Sequence, residues 1–154
     1  MKIRKAKLKD LPKLSEFGVE LLKFHVKFDP YFTPDKNAKN TYSKFFKKCI
    51  YSGNKNLLVA EKNRSIVGYA LGEIRKRPPV FKLKKIGFVN DMYVKKNFRR
   101  QGIARLFLDE LFSWFKSKKL NHVELHVHAE NEIGKIAWAK YGFKEYMKEL
   151  RTKM

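Results

Sequence analysis

The segment that most constrains the fold is a strand pattern that runs through a short basic turn into an amphipathic helix. The strand is "KIGFVNDMYV", residues 85–94, and the segment "NFRRQGIARLFLDELFSWF", residues 97–115, follows almost at once. Apolar residues of the second segment recur at the spacing of one helix face, at Ile103, Phe107, Leu111 and Trp114 or Phe115. A strand, a turn and a helix in this order indicate an α/β domain.

The same two periodicities account for the rest of the chain. Strands are predicted at "KIRKAK", "NLLVAEKN", "SIVGYALGEI", "HVELHVHA" and "FKEYMKELRTK". Helices are predicted at "LKDLPKLSEFGVELLKFHVKF", "KNAKNTYSKFFKKCIYSG" and "EIGKIAWAKYG". The order β-α-α-β-β-β-α-β-α-β predicts a mixed α/β (α+β) sheet of about six strands flanked by about four helices. At 154 residues, the chain is expected to form a single domain, residues 1–154.

Composition excludes several classes of protein. The hydrophobic fraction of 44% and the aromatic fraction of 14% argue against a disordered chain. Cys49 is the only cysteine, which excludes a disulfide framework and a cysteine-cluster zinc site, so no metal is expected. No apolar run has the length of a signal peptide or a membrane span, which predicts a cytoplasmic protein with no membrane partner.

The formal net charge of +21 raises the question of a polyanionic partner. Most of the excess is lysine scattered along the whole chain, whereas arginine, the better residue for bidentate phosphate recognition, is scarce. Charge alone therefore assigns no function, and it leaves a weak association with nucleic acid as an open alternative.

The basic turn has the features of an anion site. A helix start leaves its first backbone N–H groups without intrahelical partners and carries a partial positive charge. Gly102 has no Cβ to keep a phosphate from the backbone, and Ala104 keeps the next approach small. Neither of the common glycine-rich nucleotide motifs, G-x-G-x-x-G or G-x-x-x-x-G-K-[ST], is present, which argues against a dinucleotide enzyme or a P-loop NTPase.

The segment "MYVKKNFRRQGIARLFLDEL" resembles the acyl-CoA-binding motif of the GCN5-related N-acetyltransferase (GNAT) family, R/Q-x-x-G-x-G/A after a strand that ends in valine. Arg99, Gly102 and Ala104 fill this motif, and Val94 ends the strand. A second hallmark of the family is an asparagine followed by a helix and a Gly-Phe pair, which "NEIGKIAWAKYGF" matches. The element order agrees as well, so the resemblance covers nearly the whole chain and implies a mostly antiparallel sheet.

The resemblance implies acetyl-CoA as the acyl donor. The backbone of Met92, Tyr93 and Val94, where two parallel strands diverge, would then hydrogen-bond the pantetheine arm and polarise the acetyl carbonyl. The turn would bind the pyrophosphate through Arg99, Arg100, Gln101, Gly102, Ile103 and Ala104. Asn131 and Trp138 are the remaining expected cofactor contacts.

The resemblance is weaker for the side chains that move protons. Many relatives carry a tyrosine as general acid where this chain has Trp138, whose indole N–H is not acidic enough to protonate a departing sulfur. The phenols nearest in sequence are Tyr93, Tyr141 and Tyr146, and the sequence does not choose among them.

The general base is likewise open. Relatives often carry a glutamate at positions that here hold Phe88 and Asn90. Asp91 is one candidate, although alternation along a strand is expected to turn its side chain to the opposite face from Asn90. His126, in "ELHVHAEN", is the other candidate, because it resembles the base of some protein N-terminal acetyltransferases and its ordinary pKa suits deprotonation near neutrality. Deprotonation by bulk water alone is the third alternative.

The resemblance implies an N-acetyltransferase in which a primary amine attacks directly in a ternary complex. Cys49 lies far in sequence from the cofactor motif and is expected in the core, not as a nucleophile. The amine is a small molecule, a protein lysine or a protein N-terminus; the acidic and aromatic segment "KFDPYFTPDKN" favours a cation, whereas "RKRPPVFKLKK" favours an anion. Two alternatives stay open, a catalytically weak acyl-CoA-binding regulatory module and a nucleic-acid-associated protein modifier. The oligomeric state is also open, with a homodimer among the alternatives.

Overall fold

The computed structural model describes residues 1–154 as a five-stranded sheet with two helices on each face. The strands are β1 (Lys2–Lys5), β2 (Lys55–Lys62), β3 (Ser65–Lys76), β4 (Lys85–Val94) and β5 (Val123–Leu125). The α-helices are α1 (Leu11–Val26), α2 (Ala38–Tyr51), α3 (Ile103–Ser117) and α4 (Glu132–Lys140). The predicted class, a mixed and mostly antiparallel α/β sheet flanked by four helices, is confirmed. None of the helices combines the length and the apolar character that a membrane crossing requires.

The strands lie in the sheet in their order along the chain, β1-β2-β3-β4-β5. Neighbours are antiparallel except for β4 and β5, which are parallel because α3 carries the chain back across the sheet between them. The parallel pairing is short, from Gly87 opposite Val123 to Val89 opposite Leu125. Beyond Val89, β4 therefore continues to Val94 without a partner on its β5 side.

A β-bulge interrupts β4 at the end of this parallel pairing. On β3, Leu71 lies opposite Asp91 and the next residue, Gly72, lies opposite Val89, so Asn90 is the extra residue. The bulge shifts the alternation of side chains, and both Asn90 and Asp91 lie on the sheet face that α1 and α2 cover, hereafter the α1/α2 face. Simple alternation predicted opposite faces for these two residues, and that prediction is wrong because a bulge adds one residue to the period.

Each face of the sheet has its own hydrophobic core. The α1/α2 face buries aromatic rings, among them Phe17, Phe46 and Tyr69, together with Cys49. The opposite face buries the side of α3 that the sequence predicted, with Ile103, Phe107, Leu111 and Phe115 at most 2% exposed. Trp114, the alternative to Phe115, is only partly buried. Burial of these side chains fixes the start of α3 beside the end of β4.

The predicted final strand "FKEYMKELRTK" is absent, and the chain after α4 forms no sixth strand. Residues 144–154 are exposed along their whole length, so this tail has no buried face to stabilise a ladder. Side-chain contacts hold it instead, from Tyr146 to Glu124 of β5 and from Arg151 to Asp29 between α1 and α2. The tail therefore crosses the α1/α2 side of the molecule without extending the sheet.

The hairpin between β2 and β3 gives a stability prediction. Lys62 pairs with Ser65, and the two loop residues, Asn63 and Arg64, have φ of 50° and 62°, the positive values that a type I′ turn requires. Arg64 is strained there because of its Cβ, so Arg64→Gly is expected to raise the free energy of unfolding by about 0.5–1 kcal/mol. Urea unfolding measures the gain. Arg64→Ala, which keeps the Cβ, is the control, and an equal gain in both variants would contradict the turn argument.

Candidate functional site

The divergence of β4 from β5 exposes the backbone of two of the three residues predicted to hold an acyl donor. The N–H of Lys95 donates to the carbonyl of Val67 on β3 at 2.9 Å, so by alternation Tyr93 also faces β3. Met92 and Val94 then face the opposite side, where β5 has ended. The structure thus presents Met92 and Val94 to the gap, whereas the Tyr93 backbone belongs to the β3 pairing.

The turn after β4 presents a run of backbone donors. Arg100 and Gly102 have φ of 61° and 77°, and α3 begins directly after Gly102. No acceptor within the chain receives the N–H groups from Arg100 through Arg105, and the first bonded amide of the helix is that of Leu106. A Cβ built on Gly102 would meet nothing within 4 Å, so the space beside this backbone is open. The geometry suits a phosphate-sized anion, and binding of the pyrophosphate here stays a prediction.

The side chains of the turn brace it against its surroundings. The Nε of Arg99 donates to the carbonyl of Val94 at 2.8 Å, which ties the turn to the end of β4. Gln101 is tied at both ends of its amide, accepting from Lys62 and donating to the carbonyl of Asn97. Only Arg100 has a side chain that makes no bond within the chain. Arg99 and Gln101 therefore stabilise the conformation of the turn. Arg100 is the arginine of this turn whose side chain is free to contact a bound anion.

Asn131, Gly142 and Phe143 form the two ends of α4. Asn131 caps the start, accepting from the N–H of Gly134 at 2.9 Å. At the other end Gly142, with φ of 90°, donates to Ala139 and Phe143 donates to Trp138, which is a Schellman motif. The Trp138 and Phe143 rings pack at 5.6 Å, the apolar contact that accompanies this motif. These contacts give Asn131 and Trp138 structural tasks; their predicted contact with the cofactor stays a prediction.

A polar network on the α1/α2 face surrounds Phe88 and Asn90, the two positions at which the resemblance implied a glutamate. The amide of Asn90 donates to Glu73 at 2.8 Å and accepts from Arg75 at 2.9 Å. The Arg75 guanidinium lies 3.3 Å from the centre of the Phe88 ring. Burial opposes ionisation of Glu73, but its bonds with Lys55 and Asn90 outweigh burial and lower its pKa. Glu73 is thus an ionised carboxylate paired with a cation, and it accepts a proton poorly at neutral pH.

Asp91 has the opposite environment. It forms no ion pair with any lysine or arginine of this highly cationic chain, and its one side-chain bond is from the Tyr69 hydroxyl at 3.3 Å. Burial raises the pKa of Asp91, although the Tyr69 bond and the nearby His25 work against the shift. Two carboxylates of one face, Glu73 and Asp91, thus have pKa values pushed apart, which is a common arrangement of acid–base sites.

The two histidines after β5 lie on the same side of the molecule. His126 is exposed, and its ring meets the Phe88 ring edge-on at 5.0 Å. His128 is partly buried, stacks on Phe28 at 5.7 Å and lies 3.7 Å from the carboxylate of Asp29. The structure therefore brings His126 to Phe88 of β4, and it brings His128 to the connection between α1 and α2.

The three phenols left open by the sequence are separated by the fold. Tyr93 donates to Glu20 of α1, and burial together with this carboxylate raises the pKa of Tyr93. Tyr141 packs beside Trp138 on the α3 side. Tyr146 lies on the exposed tail, where a hydrogen bond to Glu124 raises its pKa. Each shift disfavours release of the phenolic proton, so the structure adds no support for Tyr93 or Tyr146 as a general acid.

Several residues of this face were not predicted from the sequence. Glu73, Arg75, Tyr69 and His25 reach Asn90, Phe88 or Asp91 only through strand pairing and the packing of α1. Arg151 reaches Asp29 across 122 residues of sequence. No local pattern marks such contacts. Cys49 is 1% exposed and burial raises its pKa to about 11, in agreement with the predicted core position. No group of three or more His, Cys, Asp or Glu side chains is placed to hold a metal ion.

Known proteins match this architecture. The family model described as "Acetyltransferase (GNAT) family" matches residues 21–143. No curated protein matches the sequence. Among solved structures, the tetramutant of BH1408 protein from Bacillus halodurans is similar with a TM-score of 0.89 at 22% identity, over 100% of both chains.

Two further solved structures carry functional names. An aminoglycoside 6'-N-acetyltransferase from Acinetobacter haemolyticus has a TM-score of 0.80 at 16% identity, over 100% of this chain and 98% of that one. A protein from Clostridium acetobutylicum described as a predicted acetyltransferase, with acetyl-CoA, has a TM-score of 0.77 at 23% identity, over 99% and 95%. At these identities the likeness to the solved structures supports the fold alone.

Proposed function

Because this chain belongs to the GNAT acetyltransferase family, we propose that it transfers an acetyl group from acetyl-CoA to a primary amine by direct attack in a ternary complex. The donor supplies a reactive acetyl thioester, and the protein supplies positions for it and for the amine. The N–H groups from Arg100 through Arg105 hold the pyrophosphate, and Met92 and Val94 hold the pantetheine arm.

The observation that carries the proposal is the adjacency of Asp91 and Met92 at the bulge. Asp91 places a carboxylate of raised pKa on the α1/α2 face, and the backbone of the next residue faces the gap between β4 and β5. A proton acceptor and a fixed polar backbone thus lie one residue apart. An amine bound on the α1/α2 face loses its proton to Asp91 and attacks the acetyl carbonyl carbon at the gap. The C–N bond forms, the C–S bond breaks, and the coenzyme A sulfur leaves as a thiolate that takes up a proton from solvent.

Release of free thiol from acetyl-CoA across a panel of primary amines tests the proposed function. Turnover with at least one amine, with the acetylated product identified by mass, is the expected result. Binding of acetyl-CoA without thiol release from any amine would overturn it in favour of an acyl-CoA-binding regulatory module.

The exposed position of His126 gives a second prediction. His126→Ala is expected to lower turnover less than about tenfold and to leave the pH profile of kcat unchanged, because Asp91 takes the proton. The profile is measured from below neutrality to about pH 9, where more of the amine is already neutral. A loss concentrated at neutral pH and recovered at high pH would instead make His126 the base.

A further inference from the structure

The connection between α1 and α2 forms a compact cage around one carboxylate. Asp29 is 16% exposed, and its Oδ1 accepts from the backbone N–H of Tyr31 at 3.0 Å. His128 lies 3.7 Å from this carboxylate, and two further rings pack on His128, with Phe28 stacked at 5.7 Å and Phe32 edge-on at 6.0 Å. We call Asp29, Phe28, Tyr31, Phe32 and His128 the Asp29 cage.

The cage already contains a cation, which comes from the tail of the chain itself. Arg151 donates from Nη2 to Oδ2 of Asp29 at 2.7 Å, and its guanidinium lies 4.6 Å from the centre of the Tyr31 ring. The Tyr31 N–H and then the Arg151 guanidinium lower the pKa of Asp29. A carboxylate with an aromatic face beside it is the usual protein site for an ammonium or guanidinium group.

Arg151 lies on an exposed part of the tail. The Arg151 side chain is 58% exposed, and residues 144–154 form no strand or helix. An ion pair with one partner as exposed as this contributes little to stability, because water screens the attraction and both side chains lose freedom. A soluble cation of suitable shape can therefore displace Arg151.

The cage lies within reach of the proposed reaction site. His128 of the cage follows His126 by two residues, a chain length of at most about 7 Å, and His126 contacts Phe88. Phe32 of the cage also lies 5.6 Å from His25, a side chain near Asp91. An amine that reacts beside Asp91 can thus extend a second charged group toward Asp29.

We propose that the Asp29 cage binds a second positive charge of the acceptor and that Arg151 occupies it as a competing internal cation when no acceptor is bound. This inference rests on the proposed function and names its substrate class, primary amines that carry at least one further cationic group. The tail then acts as a weak intramolecular competitor of the acceptor, with no effect on the acyl donor.

Matched probes separate the two charges of such a substrate. In the intact protein, 1,4-diaminobutane is expected to have a KM at least about tenfold below that of n-butylamine, which lacks the second ammonium group. Asp29→Asn removes this advantage, and because asparagine still accepts from the Tyr31 N–H, the local turn is kept. Arg151→Gln lowers the KM for 1,4-diaminobutane about three- to fivefold, leaving the KM values for n-butylamine and acetyl-CoA unchanged.

The outcomes distinguish this inference from the proposed function. Equal KM values for the two amines, or a higher KM for 1,4-diaminobutane in Arg151→Gln, would overturn the cage assignment while acetyl transfer stands. If neither amine is acetylated, a second experiment tests the inference without turnover. Mass spectrometry measures the rate of tryptic cleavage after Arg151. Spermidine is expected to accelerate that cleavage in the intact protein, n-butylamine is not, and Asp29→Asn is expected to show fast cleavage without any ligand. Cleavage that is indifferent to spermidine and to Asp29→Asn would overturn it.

Discussion

Gly102→Glu is expected to abolish binding of acetyl-CoA. The new side chain would enter the open space beside the N–H groups from Arg100 through Arg105 and place a negative charge where the pyrophosphate is proposed to lie. Loss of two charge-assisted hydrogen bonds costs about 3–6 kcal/mol, which corresponds to a fall in affinity of about 10²- to 10⁴-fold. Isothermal titration with acetyl-CoA measures the change.

Two controls separate this effect from general damage. Gly102→Ala carries the same penalty of a Cβ at a φ of 77° without the charge, so it is expected to keep most of the affinity. Gly53→Glu makes the same change of net charge at a site where a Cβ also meets nothing within 4 Å, far from the turn in sequence, and is expected to bind normally. Retained micromolar affinity in Gly102→Glu would refute the assignment of the turn to the pyrophosphate.

Asp91→Asn is expected to lower kcat by about 10²- to 10⁴-fold, the usual contribution of a general base. Asp91 can accept a proton only when its side chain is ionised, so kcat of the intact protein is expected to rise with pH through the raised pKa of Asp91. The variant should lose this acidic limb and recover in part at high pH, where the amine loses its proton unaided. A variant with full activity and an unchanged pH profile would remove Asp91 from the mechanism.

The same substitution is expected to stabilise the protein at neutral pH. Burial holds the pKa of Asp91 in the folded protein above that of the unfolded chain, so folding favours the protonated form. The contribution of Asp91 to stability is therefore fully present below its unfolded pKa of about 3.9 and is lost as the pH rises through its folded pKa. Asparagine keeps the acceptor for Tyr69 without that penalty.

Thermal unfolding of both proteins at about pH 4 and about pH 7.5 measures this difference. The variant should have the higher Tm at the higher pH, and the two curves should approach each other at the lower pH. A gain in stability together with a loss of activity is the expected behaviour of a catalytic group held in an unfavourable environment. A variant less stable than the intact protein at neutral pH would show that Asp91 is a structural carboxylate.

Local patterns predicted the elements that depend on contiguous residues. The amphipathic period of α3 and the basic turn before it lie within one short segment. In the structure, the backbone N–H groups without intrahelical partners lie in this turn and at the start of α3, as the sequence predicted. The Gly-Phe pair after α4 likewise has a local cause, because a Schellman motif involves only the last turn of a helix. The prediction of a sixth strand was wrong for the opposite reason. A strand needs a distant partner and a buried face, and the tail sequence does not provide them.

The sequence by itself determined the sheet class, the order of the elements as far as α4 and the position of the open turn before α3, because hydrophobic period, helix starts and glycine conformation act over a few neighbouring residues. Only the tertiary structure decided that Asp91 shares a face with Asn90, since the bulge exists only in the register of β4 against β3. It also decided that Arg151 meets Asp29, a contact between two segments 122 residues apart. Pairing across the sheet and packing of the tail depend on distant partners, and no local periodicity encodes them.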